Sequence, residues 1–368
     1  MSQNYFQEHL SLSDWLIQAN VGNRDDFVRE DATKRDRLRL LNEIIGLPIV
    51  PTTSLTTRDI VDQSDAYEAL LYDAGNTPYA LRAVPRAQGL PVLRNRKLPV
   101  GELVSWFLSQ GADLSRYDLS FEVHIDPAAA ALFVVGSQRV FGEAAHGGIL
   151  QLNKGSQADG RFMRFEFDYT RWRFSASDPE IEGFVRSAVE LVRVRDVIRQ
   201  AAIAEAMGSS FAGDYLNGYF EVVSSPQHGP VFIDYNRELI RSTQNLRLAE
   251  LVPNTAGQLL HGQPACHGMA RGPARVLPEN EAAPVSLRPE EILVCHFTSP
   301  SLLPLIIQAA AVITDVGGAL SHAAIVCREL QKPCVVGLGT ATTVIDDGEE
   351  IEVDGENGIV RVFGAHDD

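Results

Sequence analysis

Residues 313–339, ITDVGGALSHAAIVCRELQKPCVVGLG, constrain this chain more than any other stretch. An apolar run ends in Thr314 and Asp315. A Gly317–Gly318 pair follows, and Ser321–His322 opens an Ala- and Val-rich segment that closes before Pro333. The pattern predicts a buried strand, a tight turn in which glycine permits close backbone approach, and a helix over residues 322–330 with Ser321 as its N-cap. His322 then stands in the first helical turn, where free N–H groups and the helix dipole favour an anion. A neutral imidazole there is a nucleophile near pH 7, and its phosphorylated form is an anion suited to that place. A capped histidine without chemistry is the plain alternative for the same residues.

Six short strands are expected around this helix, from ACHGMARGPARVL through EEILVCHF, AAAVITD, PCVVGLG and EEIEVDG to GIVRVF. They define a C-terminal domain over 264–368, of ordinary domain size. The 368 residues leave room for another domain or two before it. Residues 1–45 read as a polar helical layer, and 246–263 as a linker. Between them the expectations are a helix around Asp62–Tyr72, a strand TPYALRAVPR and the strands SFEVHI, ALFVVG and GILQLN. Gly142, Gly147 and Gly148 mark a loop between the last two. One long helix is expected over 179–208, then strands GYFEVVSS and PVFIDYN joined by a turn at Gln227–Gly229.

That last pair carries a second constellation. On paired strands Glu221 and Asp234 can face one side, and Asn236, two residues further on, points the same way. Two carboxylates and an amide oxygen form an all-oxygen set suited to Mg²⁺. A hairpin with outward polar residues is the plain alternative.

The formal net charge of −16 argues against nucleic acid or an anionic membrane as partner, since both call for a basic footprint. The 4 cysteines, Cys266, Cys295, Cys327 and Cys334, form no CxxC pattern and read as buried structural thiols. The first residues lack a basic segment followed by an apolar one, so no secretory leader is expected and a cytoplasmic location is.

The stretch 264–363 resembles the phosphohistidine swivelling domain of the phosphoenolpyruvate-utilising enzymes, the family of phosphoenolpyruvate synthase, pyruvate phosphate dikinase and rifampicin phosphotransferase. The shared string is Thr-Asp, Gly-Gly, Ser-His-Ala-Ala, Arg-Glu-Leu, Pro and Val-Val-Gly, found here from Thr314 to Gly337. Leu320 stands where plant-type dikinases carry a regulatory threonine. Residues 40–245 resemble, more remotely, the ATP-grasp fold. Asp234-Tyr235-Asn236-Arg237 is similar to its Glu-x-Asn-x-Arg signature, with Asp for Glu and Arg one position early.

The resemblance implies an α+β and α/β multidomain chain. An ATP-grasp-like nucleotide domain over 1–245 would precede a β/β/α phosphohistidine swivelling domain over 264–368. It implies His322 as phosphoryl carrier, supported by Thr314, Gly317, Gly318 and Ser321. ATP would meet Arg82, Arg86, Glu122 and Glu143, and Mg²⁺ would meet Glu221, Asp234 and Asn236. The activity implied is transfer from Mg-ATP through His322 to an acceptor, giving AMP and phosphate. No acceptor domain is apparent, so a partner subunit is expected to supply that site, or the interdomain cleft does. An ATP-grasp ligase with a vestigial swivelling domain, or a non-catalytic subunit of a split complex, are the competing readings.

Overall fold

The computed structural model describes residues 33–86, 90, 92–111, 114–149, 152, 162–225, 229–243, 259–277 and 286–363, with 15, 16, 19, 26 and 29–31 before them. Most of the expected N-terminal layer, most of the 246–263 linker and Gln227 lie outside the described residues. The chain divides into a smaller unit, Pro48–Asp126, and a larger one, Met1–Leu47 with Pro127–Asp368. Helix α1 (Lys34–Ile45) belongs to the larger unit and ends on Gly46, whose φ of 71° is the left-handed geometry a helix C-terminus favours.

In the smaller unit, β1 (Thr52–Thr56), β2 (Tyr79–Pro85), β3 (Leu93–Leu98) and β4 (Tyr117–Val123) form an antiparallel sheet in the order β1-β4-β2-β3. Alternation buries Leu55, Leu81, Ala83, Leu119 and Phe121. Helices α2 (Thr57–Val61), α3 (Asp65–Ala74) and α4 (Val100–Leu108) add Ile60, Leu70, Leu103 and Phe107 to this core. The short α2 precedes the helix expected around Asp62–Tyr72, which is α3. Thr56 and Asp59 form a capping box on the first, and Ser64 caps the second by accepting from the Tyr67 N–H.

The larger unit holds two sheets. The first comprises β5 (Ala129–Val135), β6 (Val140–His146), β7 (Met163–Phe167), β8 (Trp172–Phe174), β11 (Gly218–Ser225) and β12 (Gly229–Asn236). These run antiparallel in the order β12-β11-β5-β6-β7-β8, and a short hairpin, β9 (Phe211–Ala212) with β10 (Tyr215–Leu216), lies apart. Strand β5 is buried at every position, as its AAALFVV sequence requires. Phe133 stacks on Phe220 at 5.0 Å, and Phe220 on Tyr235 at 4.9 Å, tying β5, β11 and β12 through one aromatic seam.

Three expectations fail here. Residues 140–146 are strand β6, not a glycine-marked loop. Gly142 is needed for packing: a Cβ there would stand 2.3 Å from the Leu132 carbonyl oxygen and 2.5 Å from the Phe165 ring. Of the GILQLN strand, the described Ile149 and Leu152 are helical. The single helix over 179–208 is two, α5 (Pro179–Leu191) and α6 (Val197–Met207). Arg193, between the β-branched Val192 and Val194, leaves the helix to bridge Tyr215, and Asp196 caps α6 by accepting from the Ile198 N–H at 2.9 Å.

After α7 (Leu239–Thr243) come β13 (Leu259–His261), β14 (Gln263–Cys266), β15 (Met269–Leu277), β16 (Ile292–Cys295), α8 (Leu303–Gln308), β17 (Ala311–Thr314), α9 (His322–Glu329), β18 (Cys334–Val336), α10 (Ala341–Val344), β19 (Glu350–Asp354) and β20 (Ile359–Phe363). The eight strands pair in the order β13-β20-β19-β15-β16-β17-β18-β14, with β15 to β18 parallel. Their core is aliphatic, from Ile292, Val294 and Ile313 to Val335, Ile351 and Val353. Among the described residues, no helix is long and apolar enough to cross a membrane.

Replacing Gly142 by Ala is expected to destabilise the larger unit by at least about 2 kcal/mol through overpacking. A denaturant melt followed by tryptophan fluorescence checks this, and an unchanged midpoint would contradict the packing account.

Candidate active site

The loop before α9 begins where the parallel strands β16 and β17 end, the edge at which sheets of this kind present reactive groups. Thr314 Oγ1 donates to the Val316 carbonyl at 2.7 Å and stiffens the turn. Asp315 is buried. It accepts from the Thr342 N–H at 3.1 Å and from the Thr342 hydroxyl, with the His296 ring Nδ1 at 3.3 Å. Gly317 takes φ of 128°, which only glycine adopts readily. Ser321 is the N-cap of α9, its hydroxyl accepting from the Ala324 N–H at 3.4 Å, as the sequence predicts.

His322 is the first residue of α9 and is half-buried. Ala323, Ala324, Ile325, Val326 and Cys327 are buried behind it, fixing the helix to its sheet. Arg328 Nη1 donates to the carbonyls of Ala319 and Ala265, each at 2.7 Å, and braces the loop from within. Burial, and secondly the charge of Lys34, lower the His322 pKa from the ordinary 6.5 to about 4. The ring is therefore neutral and nucleophilic across the physiological range. The Trp15 ring stands edge-on to it, with centroids 6.1 Å apart.

Lys34 comes from the start of α1. Three residues on, Arg37 donates to the Tyr235 carbonyl at 2.8 Å and pairs with buried Glu30, which also binds Arg237. This network fixes α1 on β12 and places Lys34 Nζ 3.0 Å from Asp234 Oδ2. Glu221 and Asp234 are direct cross-strand partners on β11 and β12. The Tyr219 hydroxyl donates to Glu221 Oε1 at 3.1 Å. Burial first, then the charges of Glu221 and Asp234, hold the Tyr219 phenol well above its ordinary range. Asp234 Oδ1 is buried with no hydrogen-bond partner. Asn236 is used differently from expectation: its Oδ1 accepts from the N–H groups of Glu238 and Leu239 at 2.9 and 3.0 Å and begins the turn into α7.

Glu143 lies on β6 and is 2% exposed. Its oxygens accept from the Ala319 N–H at 2.8 Å and the Leu320 N–H at 3.2 Å. Burial raises its pKa, opposed by those two amides and by the charges of Arg164 and Arg328. The larger unit thus brings Glu143, Glu221 and Asp234 together with the His322 loop, and adds Lys34, which no motif in the sequence marks.

In the smaller unit, Arg82, Arg94 and Arg96 share one face of the sheet with Ser120 and Glu122, as the register of β2 with β3 and β4 requires. Glu122 accepts from the Thr52 hydroxyl at 3.0 Å. Arg86 is exposed and neutralised by Asp118, with Nε 2.9 Å from Oδ1. Arg94 and Arg96 were legible only as part of LRNRKL, where nothing fixes which face they take.

His267 is exposed, and all four cysteines are free and buried. Burial pushes the Cys266 thiol up to about 12 and Cys295 higher still. Among the described residues no group of three or more His, Cys, Asp or Glu side chains is placed to hold a metal. A metal at Glu221 and Asp234 would thus depend on phosphate and water oxygens to complete its shell.

Residues 287–358 match the family described as PEP-utilising enzyme, mobile domain. The chain is similar to the probable phosphoenolpyruvate synthase of Staphylothermus marinus, 45% identical over 104 residues, 28% of this chain and 12% of that one. The prodigiosin synthesizing transferase of Serratia marcescens is 42% identical over 114 residues, 31% of this chain and 13% of that one. The rifampicin phosphotransferase of Bacillus cereus is 38% identical over 110 residues, 30% of this chain and 12% of that one. The chain therefore spans 13% or less of these relatives' length. The solved structure of ATP-grasp ligase PsnB complexed with minimal precursor overlaps 58% of this chain and 55% of that one at 14% identity and TM-score 0.28, a likeness too slight to carry an argument.

In a proton-detected NMR titration, His322 should titrate near 4, and Lys34→Met should raise that value. Because the unfolded chain takes up this proton first, stability should fall as pH drops from 6.5 towards 4. A ring titrating at 6.5 would contradict the burial assigned to it.

Proposed function

We propose, from the match of residues 287–358 to a PEP-utilising mobile domain, that this chain is an ATP-dependent phosphotransferase with His322 as carrier. The observation that supports it most is a neutral histidine at a helix start under the charge of Lys34, a lysine of α1 that also pairs with Asp234, the cross-strand partner of Glu221. A ring nitrogen of His322 forms the N–P bond to the β-phosphorus as the bond from that phosphorus to the AMP oxygen breaks, and water cleaves the link to the γ-phosphorus, releasing phosphate. The carrier then yields the phosphoryl group to the acceptor and returns to neutral imidazole. ATP, water and acceptor give AMP, phosphate and phosphorylated acceptor, with the β-phosphoryl group carried on His322.

Lys34 offers positive charge beside His322, where negative charge gathers on the transferred group. Glu221 and Asp234 suit Mg²⁺, which commonly takes one or two carboxylates and completes its shell with water and phosphate oxygens. The orphaned Asp234 Oδ1 fits this use, whereas Asn236 Oδ1 already serves two backbone donors. Bound there, Mg²⁺ would neutralise phosphate charge. Arg82, with Arg94 and Arg96 on the same face, suits the nucleotide phosphates, and Glu122 borders that face. Arg86, neutralised by Asp118, is a weaker candidate. Thr314, Gly317, Gly318 and Ser321 shape the carrier loop. The acceptor is expected to be a small molecule, bound here or by a partner subunit, and the reaction to run in the cytoplasm.

ATP labelled at the β position should give an acid-labile, base-stable phosphoprotein, and His322→Ala should abolish the label. Lys34→Met should slow labelling by about 10²-fold, the usual loss when one preorganised charge-stabilising donor is removed. Label persisting in the His322→Ala variant, or ADP in place of AMP, would overturn the reading.

A further inference from the structure

The carboxylate of Glu143 does more than border the carrier loop. Both of its oxygens are taken by backbone N–H groups of that loop, those of Ala319 and Leu320. Gly318 faces the same carboxylate. A Cβ at Gly318 would stand 2.0 Å from Glu143 Oε2 and 2.4 Å from its Cδ. Unlike Gly317, Gly318 does not take a positive φ, so it is the carboxylate and not the turn that requires glycine there. Arg164, paired opposite Glu143 in the register of β6 with β7, donates to the Gln263 side chain in β14. Two adjacent buried charges thus reach from one sheet of the unit to the other, one of them ending beside His322.

We propose that Glu143 is a charge-sensitive latch. It holds the loop before His322 on the six-stranded sheet while position 322 is neutral, and it releases the loop when position 322 becomes negative. Two guanidinium groups and a phenol face Glu143. Arg164 lies across the strand pair, Arg328 braces the loop from α9, and Tyr219 contributes from β11 as a neutral phenol. Position 322 is two residues beyond Leu320, so at most about 7 Å of chain separates the two backbones. A negative charge on that side chain adds to the one held at Glu143, with Lys34 offsetting part of it at position 322. The remainder weakens the hold of Glu143 on the amides. The use of this release in a catalytic cycle rests on the carrier reading above; the latch itself does not.

Hydrogen–deuterium exchange on the full chain tests both parts without nucleotide. The amides of Ala319 and Leu320 should exchange slowly in the native chain. In Glu143→Ala and in Gly318→Ala they should exchange at least about tenfold faster, with β5 amides unchanged. The double variant should be no faster than Glu143→Ala alone, because the clash at Gly318 is with Glu143. His322→Glu should accelerate the same amides, and His322→Gln should not. If Glu143→Ala also loosens β5, the isosteric Glu143→Gln and the Gly318→Ala variants carry the test from either side. Protection that survives these substitutions overturns the latch. Equal exchange in His322→Glu and His322→Gln overturns its charge sensitivity. Loss of phosphoprotein formation with these exchange results intact would instead count against the carrier reading alone.

Discussion

A carboxylate removed from water is costly unless hydrogen bonds and charge replace its solvent. Glu143 meets that constraint with two loop amides, a cross-strand arginine and a second arginine on α9. Each replacement fixes something else. The amides fix the loop that leads into His322, Arg164 reaches strand β14 through Gln263, and Arg328 holds the loop carbonyl of Ala319. The relative placement of the two sheets in the larger unit is written around this one buried charge.

The same economy shapes the surroundings of His322. His322 gains its nucleophilic form from burial and from Lys34, and Lys34 gains its position from a network in which Arg37, Glu30 and Arg237 bind α1 to β12. Long-range ion pairs of this kind, about two hundred residues apart in sequence, create the site without any local motif. Lys34 takes one oxygen of Asp234 and leaves Oδ1 without a hydrogen-bond partner, while Asn236, two residues on, spends its amide oxygen on a turn.

Much of the C-terminal part was legible in the sequence because its signals are local. A strand ending in Thr-Asp, a glycine in the left-handed region, a serine cap and a helix opening on histidine all appear at the expected positions. The pairing of Glu221 with Asp234 was legible too, since a period of two and one turn fix it. Other features depend on partners far along the chain. Gly142 reads as loop punctuation until the Phe165 ring and the Leu132 carbonyl above it are known. Gly318 reads as a turn residue until Glu143 is placed against it. The break at Val192–Asp196 hides inside an apolar periodicity that suits a helix, and only the bridge to Tyr215 reveals it. Lys34 carries no signal at all, because its role arises from where α1 docks.

The central claim is that position 322 carries a phosphoryl group. Site-resolved mass spectrometry of the chain after exposure to Mg-ATP, with peptides kept at neutral to alkaline pH, tests it most directly. The account predicts phosphate on the peptide that begins α9, localised to His322. Phosphate localised instead to His296, to His146 or to a serine or threonine of the loop would contradict it.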